Sequence, residues 1–350
     1  MELYSIGVDL GGTNLRVAAF DPRRGLIDSV ELLTRRTAGR DAVIADLCDA
    51  VESLIRKFAG RQECAGIGVA TPGPMELPEG RLLDPPNLPG WENFELRREL
   101  EKRLKEKVVV ENDANVAALA ECLLGQGKEL KLNSLCMLTL GTGVGSGIIL
   151  NGGIWHGMNG MAGECGHISV DPQGSMCACG TRGCLEISAS ATGLVRQARE
   201  QIALDPGGAL ATNLRQKPNF TAMDLSTLAN EGDRNAIQIF ETQGRALGRG
   251  LAVLVNSLNL PLYVLGGGVT AAWELFAAKM FAELSQGSSI YRLTDPQRTT
   301  REYMAKANTW VVPARLGSNS GILGACLVPF GEAPASLETR VSICDLGRIR

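Results

Sequence analysis

The spacing of apolar residues alternates along the chain between a strand period and a helix period, and this predicts the order of the elements. Leu3–Asp9 is rich in β-forming residues and ends in two glycines, after which an apolar run resumes at Leu15–Phe20. This pattern predicts a hairpin with a glycine turn. The run Leu135–Leu140, a second glycine turn and the run Ile148–Leu150 repeat the layout. Two copies of a hairpin-led α/β unit predict two similar lobes with a cleft between them.

Helical periodicity follows each predicted hairpin. The predicted helices cover about 41–58, 94–106, 116–124, 188–204, 222–230, 233–257 and 271–286. The other predicted strands cover 65–70, 108–110 and 261–265, and the Pro-rich 71–91 is predicted to be an irregular loop. For the domains we predict a smaller lobe over 1–125 joined by a C-terminal helix near 318–330, a larger lobe over 126–317, and an exposed tail over 331–350.

Composition and charge narrow the functional classes. Charged residues make up 21% of the chain, the net charge is −3 and no dense basic run occurs, so we expect no nucleic-acid partner. No run reaches the roughly 18 apolar residues that a membrane span needs, and the first residues lack a signal-peptide pattern. Most of the ten cysteines are scattered through apolar or helical segments. We therefore expect reduced thiols, a cytoplasmic location and no membrane partner.

Three predicted strand ends open into glycines. These turns are Asp9–Asn14, Gly141–Gly145 and Gly266–Gly268. Glycine lets backbone N–H groups approach an anion closely, and such donors suit phosphate oxygens. Any one of these turns is equally typical of a tight hairpin. Two matching turns in two repeated units indicate a nucleotide clamp, in which Asp9 would hold Mg²⁺ through water.

The sequence matches the motifs of other nucleotide-binding folds poorly or not at all. The sequence has no G-x-x-x-x-G-K-[ST] motif, which excludes a P-loop. Gly266–Ala271 does fit the weaker dinucleotide fingerprint G-x-G-x-x-A, with Glu283 roughly where a ribose-binding acid should be. Because this match is single and late in the chain, a dehydrogenase remains a minor alternative.

A histidine and three cysteines form a compact motif. His167 is followed by Cys177, Cys179 and Cys184, with glycines that allow the chain to fold tightly. One imidazole and three thiolates complete a tetrahedral zinc site, and no position is left for a reactive water. The motif therefore predicts a structural zinc, against the alternative of buried cysteines clustered by chance.

A polar pair follows the predicted strand at 108–110. Asn112 and Asp113 lie where this strand runs into a helix, and open α/β sheets place their chemistry at such ends. A helix N-cap is the alternative, because Asn and Asp satisfy free N–H groups there. Glu164 and Glu186 flank the Cys-rich motif. Carboxylates and amides of this kind can hydrogen-bond sugar hydroxyls.

With these motifs the chain resembles the ROK family (repressors, open reading frames, kinases), and within it the bacterial glucokinases. The resemblance covers about residues 3 to 328. It is carried by Asp9–Thr13, Glu111–Asn115, Gly141–Gly143 and above all Gly163–Glu186. It implies the actin-like ATPase fold of two ribonuclease-H-like lobes, with a zinc loop over 165–187.

The resemblance also implies roles. Asp113 would be the catalytic base, Asn112, Glu164, His167 and Glu186 would hold the sugar, and Gly73 and Asn87 would border it. The residues expected to bind ATP and Mg²⁺ are Asp9, Gly11, Gly12, Thr13, Asn14, Gly141, Thr142, Gly143, Gly266, Gly267 and Gly268. His167 would serve both the zinc and the sugar, one ring nitrogen to each.

The implied reaction is ATP-dependent phosphorylation of a hexose at its 6-hydroxyl, with glucose as the first candidate, by a homodimer or homotetramer active in glycolysis. N-acetylmannosamine, N-acetylglucosamine, fructose and allose are the alternative sugars. The alternative from another class is a sugar-responsive transcription regulator. Regulators of this family carry a helix-turn-helix before the first strand, whereas here the first strand begins by Leu3.

Overall fold

The structure is a computed structural model that describes residues 3–60, 62–85, 87–215, 217–297 and 308–331. Its contacts divide the chain into two compact units. Among the described residues, the first comprises 3–135, Gly147–Gly163 and 315–331, and the second comprises Cys136–Ser146 and 164–314. The lobe boundaries predicted from the sequence stay a prediction. Of the tail predicted over 331–350, residues 332–350 lie outside the part of the chain that the structure describes.

The elements alternate between strands and helices throughout. The strands are β1 (Leu3–Leu10), β2 (Asn14–Asp21), β3 (Gly25–Leu33), β4 (Glu63–Thr71), β5 (Met75–Glu76), β6 (Arg81–Leu82), β7 (Phe94–Glu95), β8 (Val108–Asn112), β9 (Leu135–Leu140), β10 (Val144–Leu150), β11 (Gly153–Ile154), β12 (Leu262–Gly266) and β13 (Trp310–Pro313). The helices are α1 (Arg40–Phe58), α2 (Leu96–Leu104), α3 (Asp113–Leu123), α4 (Gln126–Leu130), α5 (Leu185–Ala189), α6 (Ala191–Leu204), α7 (Ala209–Leu214), α8 (Ala222–Asn230), α9 (Arg234–Leu258), α10 (Trp273–Gly287), α11 (Ser289–Thr294) and α12 (Ser320–Leu327).

Two five-stranded sheets share one topology. The first has the order β3-β2-β1-β4-β8, and the second has the order β11-β10-β9-β12-β13. In the first, β1, β2 and β3 are antiparallel neighbours, while β4 is parallel to both β1 and β8. In the second, β12 is parallel to both β9 and β13. Each sheet therefore begins with a hairpin and continues with parallel strands, which confirms the repeat seen in the sequence.

Three local predictions need correction. The segment 71–91 is not wholly irregular, because β5 and β6 lie in it and form a small sheet with β7. The helix expected over 188–204 is two helices, since Ser190 ends α5 and its side chain caps α6 by accepting the Gly193 N–H at 3.0 Å. The helix α3 begins at Asp113 and not at Val116 because a side-chain cap precedes it. No helix in the described ranges is long and apolar enough to cross a membrane.

The C-terminal helix α12 lies deep in the first unit, because glycines allow close backbone approach. A Cβ on Gly68 of β4 would lie 1.9 Å from the carbonyl oxygen of Ala325. A Cβ on Gly324 would lie 1.9 Å from the carbonyl oxygen of Val116 in α3. The helix is therefore packed between the sheet and α3 at distances that no larger residue permits.

This packing predicts that Gly68→Ala is strongly destabilising. We expect the free energy of unfolding to fall by about 3 kcal/mol, the upper end of the usual cost of overpacking a core. Gly207→Ala is the matched control, because a Cβ there has no neighbour within 4 Å. Urea denaturation of both variants measures the difference, and equal stabilities would contradict the close packing of α12.

Candidate active site

The turn between β1 and β2 contains the first group of predicted nucleotide residues. The Gly11 N–H donates to the carbonyl of Asn14 at 3.0 Å and closes the turn, and the Thr13 carbonyl accepts a backbone N–H from just beyond β3 at 2.8 Å. A Cβ on Gly12 would lie 3.3 Å from the Cβ of Asn87. The structure therefore brings Asn87, predicted to border the sugar, against the predicted nucleotide turn.

Asp9 at the end of β1 has a partner that the sequence reasoning missed. Asp9 and Arg16 are opposite each other in the β1–β2 register, and their side chains form an ion pair. Arg16 also donates to the carbonyl of Ser318 at 2.8 Å. The side chain of Asp9 is only 18% exposed. Counting the register of the predicted hairpin would have found this pair, because a tight turn sets which residues face each other.

The strand end at Asn112 and Asp113 contains the helix cap that the sequence offered as the alternative to a catalytic role. Asn112 is the N-cap of α3: its Oδ1 accepts the N–H groups of Ala114 at 2.9 Å and Asn115 at 3.3 Å. Asp113 is the first residue of the helix, and its Oδ1 accepts the adjacent Ala114 N–H at 2.8 Å. A Cβ on Gly73 would lie 3.2 Å from Nδ2 of Asn112, so Gly73 leaves room beside that amide.

A buried carboxylate, Glu111, stands immediately before this pair. Its Oε1 accepts the Asn112 N–H at 2.8 Å and Nδ2 of Asn115 at 2.9 Å. Its Oε2 accepts Nε2 of His156 at 2.6 Å. The hydrogen bond to Glu111 raises the pKa of His156, against the opposing effect of partial burial. Sequence reasoning missed His156, and no local pattern marks it, because its partner lies on a distant strand.

In the second unit the turn after β9 is tied to a predicted sugar ligand. The Gly141 N–H donates to the Gly143 carbonyl at 3.0 Å, and the Ala191 N–H donates to the Gly141 carbonyl at 2.8 Å. Glu186 accepts the Val144 N–H on Oε2 at 2.9 Å. A Cβ on Gly143 would lie 2.4 Å from that same oxygen. Glycine at 143 is therefore what allows the carboxylate of Glu186 to reach the turn.

The turn after β12 lies against the end of β9. Gly267 has φ +88°, and a Cβ there would lie 2.4 Å from the carbonyl oxygen of Leu140, so two independent constraints require glycine. Beside it is a largely apolar cavity of about 530 Å³. Its walls include Gly141, Thr142, Gly268, Val269, Phe240 and Ala222. Two of the three predicted nucleotide turns thus border one cavity of a size that small-molecule sites commonly have.

The predicted metal ligands are close together. The side-chain ligand atoms of His167, Cys177, Cys179 and Cys184 all lie within 4.8 Å of one another. Sγ of Cys179 is 3.6 Å from Sγ of Cys184, and Sγ of Cys177 is 3.7 Å from Nδ1 of His167. Zinc–sulfur bonds of about 2.3 Å in a tetrahedral site imply sulfur separations of about 3.8 Å, so these residues fit zinc. Nε2 of His167 lies on the side of Glu164, 4.0 Å from Oε2.

The thiols of the cluster differ in their tendency to ionise. A hydrogen bond from the Thr181 backbone lowers the pKa of Cys179 to about 7, while burial raises the pKa of Cys184 to about 12. Short β-bridges join Ser169 to Cys184 and Met176 to Arg182 on either side of the cluster. Backbone hydrogen bonds within the loop therefore help to hold the four ligand residues in place.

These features define an α/β nucleotide-binding protein with the actin-like ATPase fold. They are the duplicated sheet, the glycine turn that follows the leading strand of each copy, and the cavity beside the second of these turns. The chain belongs to the ROK family, whose profile matches residues 5–329. Both the predicted fold class and the resemblance are confirmed.

Individual relatives agree with this assignment. A glucokinase of Halalkalibacterium halodurans is 39% identical over 275 residues, which is 78% of this chain and 82% of the relative. The crystal structure of a ROK hexokinase from Thermus thermophilus is 33% identical with a TM-score of 0.73, covering 93% of this chain and 97% of that one. A ROK family glucokinase from Streptomyces griseus, solved with glucose and AMPPNP, is 30% identical with a TM-score of 0.72, covering 92% and 98%.

Proposed function

We propose that this protein is an ATP-dependent hexose kinase that phosphorylates glucose at the 6-hydroxyl. The observation that carries the proposal is the similarity, over 92% of the chain, to a ROK glucokinase solved with glucose and AMPPNP. The 39% identity to a second glucokinase supports the same substrates. The chemistry of the residues described above is compatible with binding of a sugar and of a nucleotide.

The phosphates of ATP need donors and charge neutralisation, because phosphoryl transfer relies mainly on positioning and electrostatics. We propose that the backbone N–H groups of Gly11–Asn14 and Gly141–Gly143 supply the donors, and that the cavity beside Gly268 takes the adenosine. Asp9 would hold Mg²⁺, which when bound neutralises phosphate charge. Since Arg16 already pairs with the Asp9 carboxylate, that contact would pass through water.

We propose that Asp113 accepts the proton of the attacking sugar hydroxyl. Asn112 performs the capping of α3 with Oδ1, so its Nδ2 can donate to a sugar oxygen beside Gly73. Glu186 has one oxygen on Val144, so its other oxygen can accept from a sugar hydroxyl. Glu164 and Nε2 of His167 would complete the set, with Nδ1 of His167 on zinc.

A coupled assay of ADP release across hexoses tests the function directly. We expect glucose to give the highest kcat/KM in a panel that includes N-acetylmannosamine, N-acetylglucosamine, fructose and allose. A higher value for one of these would reassign the sugar within the family. Absence of ADP release with every hexose, at concentrations where glucose binds by calorimetry, would refute the kinase.

The role of the base predicts that Asp113→Asn lowers kcat by about 10²–10⁴-fold, the usual contribution of a positioned general base. Folding and glucose binding should be retained. Asp41→Asn is the matched control, because Asp41 also lies in the first turn of a helix but is 85% exposed. A steady-state turnover rate near that of the wild type in Asp113→Asn would remove Asp113 from the mechanism.

The Cys-rich cluster predicts about one zinc per chain. Cys179→Ser should lower both the zinc content and the kinase activity, because the metal braces the loop that carries His167. Cys48→Ser is the control, since Cys48 is buried in α1 and is not one of the four clustered ligands. Metal analysis of the purified variants is the measurement, and full zinc retention in Cys179→Ser would contradict the ligand assignment.

The contact between Gly143 and Glu186 predicts a defect in nucleotide binding. In Gly143→Ala the new Cβ must displace the Glu186 carboxylate and break its bond to Val144. We expect AMPPNP binding to weaken by about tenfold or more, since a hydrogen bond to a charged group contributes about 1.5–3 kcal/mol. Calorimetry with Gly207→Ala as control is the test, and wild-type affinity in Gly143→Ala would refute this role of the turn.

A further inference from the structure

The buried carboxylate of Glu111 connects three segments of the first unit. It lies on β8, accepts from the N–H of Asn112 and from Asn115 in the first turn of α3, and accepts from His156 in the loop after β11. Its side chain is 5% exposed, whereas the side chain of His156 is 40% exposed. A single charged group thus holds the backbone N–H just before Asp113 and the Asn115 side chain just after it, and is itself held by one partly exposed imidazole.

Through Glu111, a change in the protonation or position of the His156 imidazole affects the junction between β8 and α3. A buried carboxylate needs charged or hydrogen-bonding partners, and each partner that weakens increases the demand on the remaining ones. The remaining partners of Glu111 are the Asn112 N–H and the Asn115 side chain, which define the start of α3. Small displacements of a catalytic group are costly for turnover, because reactions require near-attack geometry.

We propose that His156, acting through Glu111, is a positioning residue that sets the orientation of Asp113 for proton transfer. This rests on the proposed kinase function and on Asp113 as its base. His156 touches neither substrate in this scheme. It holds Glu111, Glu111 holds the Asn112 backbone and Asn115, and these hold the turn that presents the Asp113 carboxylate.

The charges around the imidazole give the direction of a pH effect. Glu111 is the charged group in contact with it, Asn112 and Asn115 are neutral amides, and Asp113 is the other titratable residue of the turn. Glu111 raises the pKa of His156, so the ion pair is complete below that pKa and is lost as the pH rises through it. The neutral ring can still donate from Nε2, but such a bond is weaker than the charge-assisted one.

Two substitutions separate charge from shape. His156→Gln places an amide donor near the position of Nε2 but cannot ionise. We therefore expect kcat to stay within about threefold of wild type, and the fall in kcat that the imidazole causes at high pH to be absent. His156→Ala removes the donor, so kcat should fall by about tenfold while KM for glucose stays within about twofold. Met158→Ala in the same loop is the control, because Met158 is 98% exposed.

The experiment measures kcat and KM for glucose between pH 6 and 10 for wild type and the three variants, with thermal unfolding to exclude loss of fold. An unchanged kcat and pH profile in His156→Ala would overturn the proposal, as would an equal loss in Met158→Ala. A change in KM alone would also overturn it, because a positioning residue for the base acts on turnover.

A second readout does not depend on activity. The chain has two histidines, and the other is a predicted metal ligand, so the His156 ring can be followed by NMR titration of the labelled whole protein. We expect its midpoint to lie above the ordinary histidine value and to fall in Glu111→Gln. If no hexose is phosphorylated, the proposed function fails while this titration still tests the pair. An ordinary midpoint in the wild type would refute the pair itself.

Discussion

The register of the parallel strands is the constraint on which the rest of the first unit depends. Because β1, β4 and β8 run parallel, Asp9 is level with Ala70, and Ala70 is level with Glu111. The polar residues that follow each strand are therefore delivered to one edge of the sheet. A shift of one residue would exchange the two faces of a strand and turn these side chains to the opposite face of the sheet.

Elements with a strong local signal could be predicted from the sequence. The two hairpins and most of the long helices follow from periodicity alone, because one buried face repeats at a fixed interval. The close cluster of His167 with three cysteines also follows from sequence, since short spacing and glycines leave few other arrangements. Short strands such as β5 and β6 gave no signal, because two residues cannot show a period.

Contacts between distant segments could not be predicted from sequence. His156 and Glu111 are 45 positions apart, and Glu186 and Val144 are 42 apart, so no window contains both partners. Arg16 is different, because it is the cross-strand neighbour of Asp9 and the hairpin alone determines this. The sequence thus pointed to candidate groups for the chemistry but not to the side chains that contact and orient them, which depend on tertiary packing.

Several proposed ligand-binding side chains divide their atoms between structure and chemistry. Asn112 uses Oδ1 to cap α3, Glu186 uses Oε2 to hold Val144, and Nδ1 of His167 lies beside Cys177. In each case one polar atom is immobilised by the protein and the other belongs to the same rigid amide, carboxylate or ring. Its direction is therefore set before any ligand arrives, and less rotamer entropy is lost on binding. Helix capping and the proposed sugar binding at Asn112 are therefore compatible, because the cap orients the amide that would donate to the sugar.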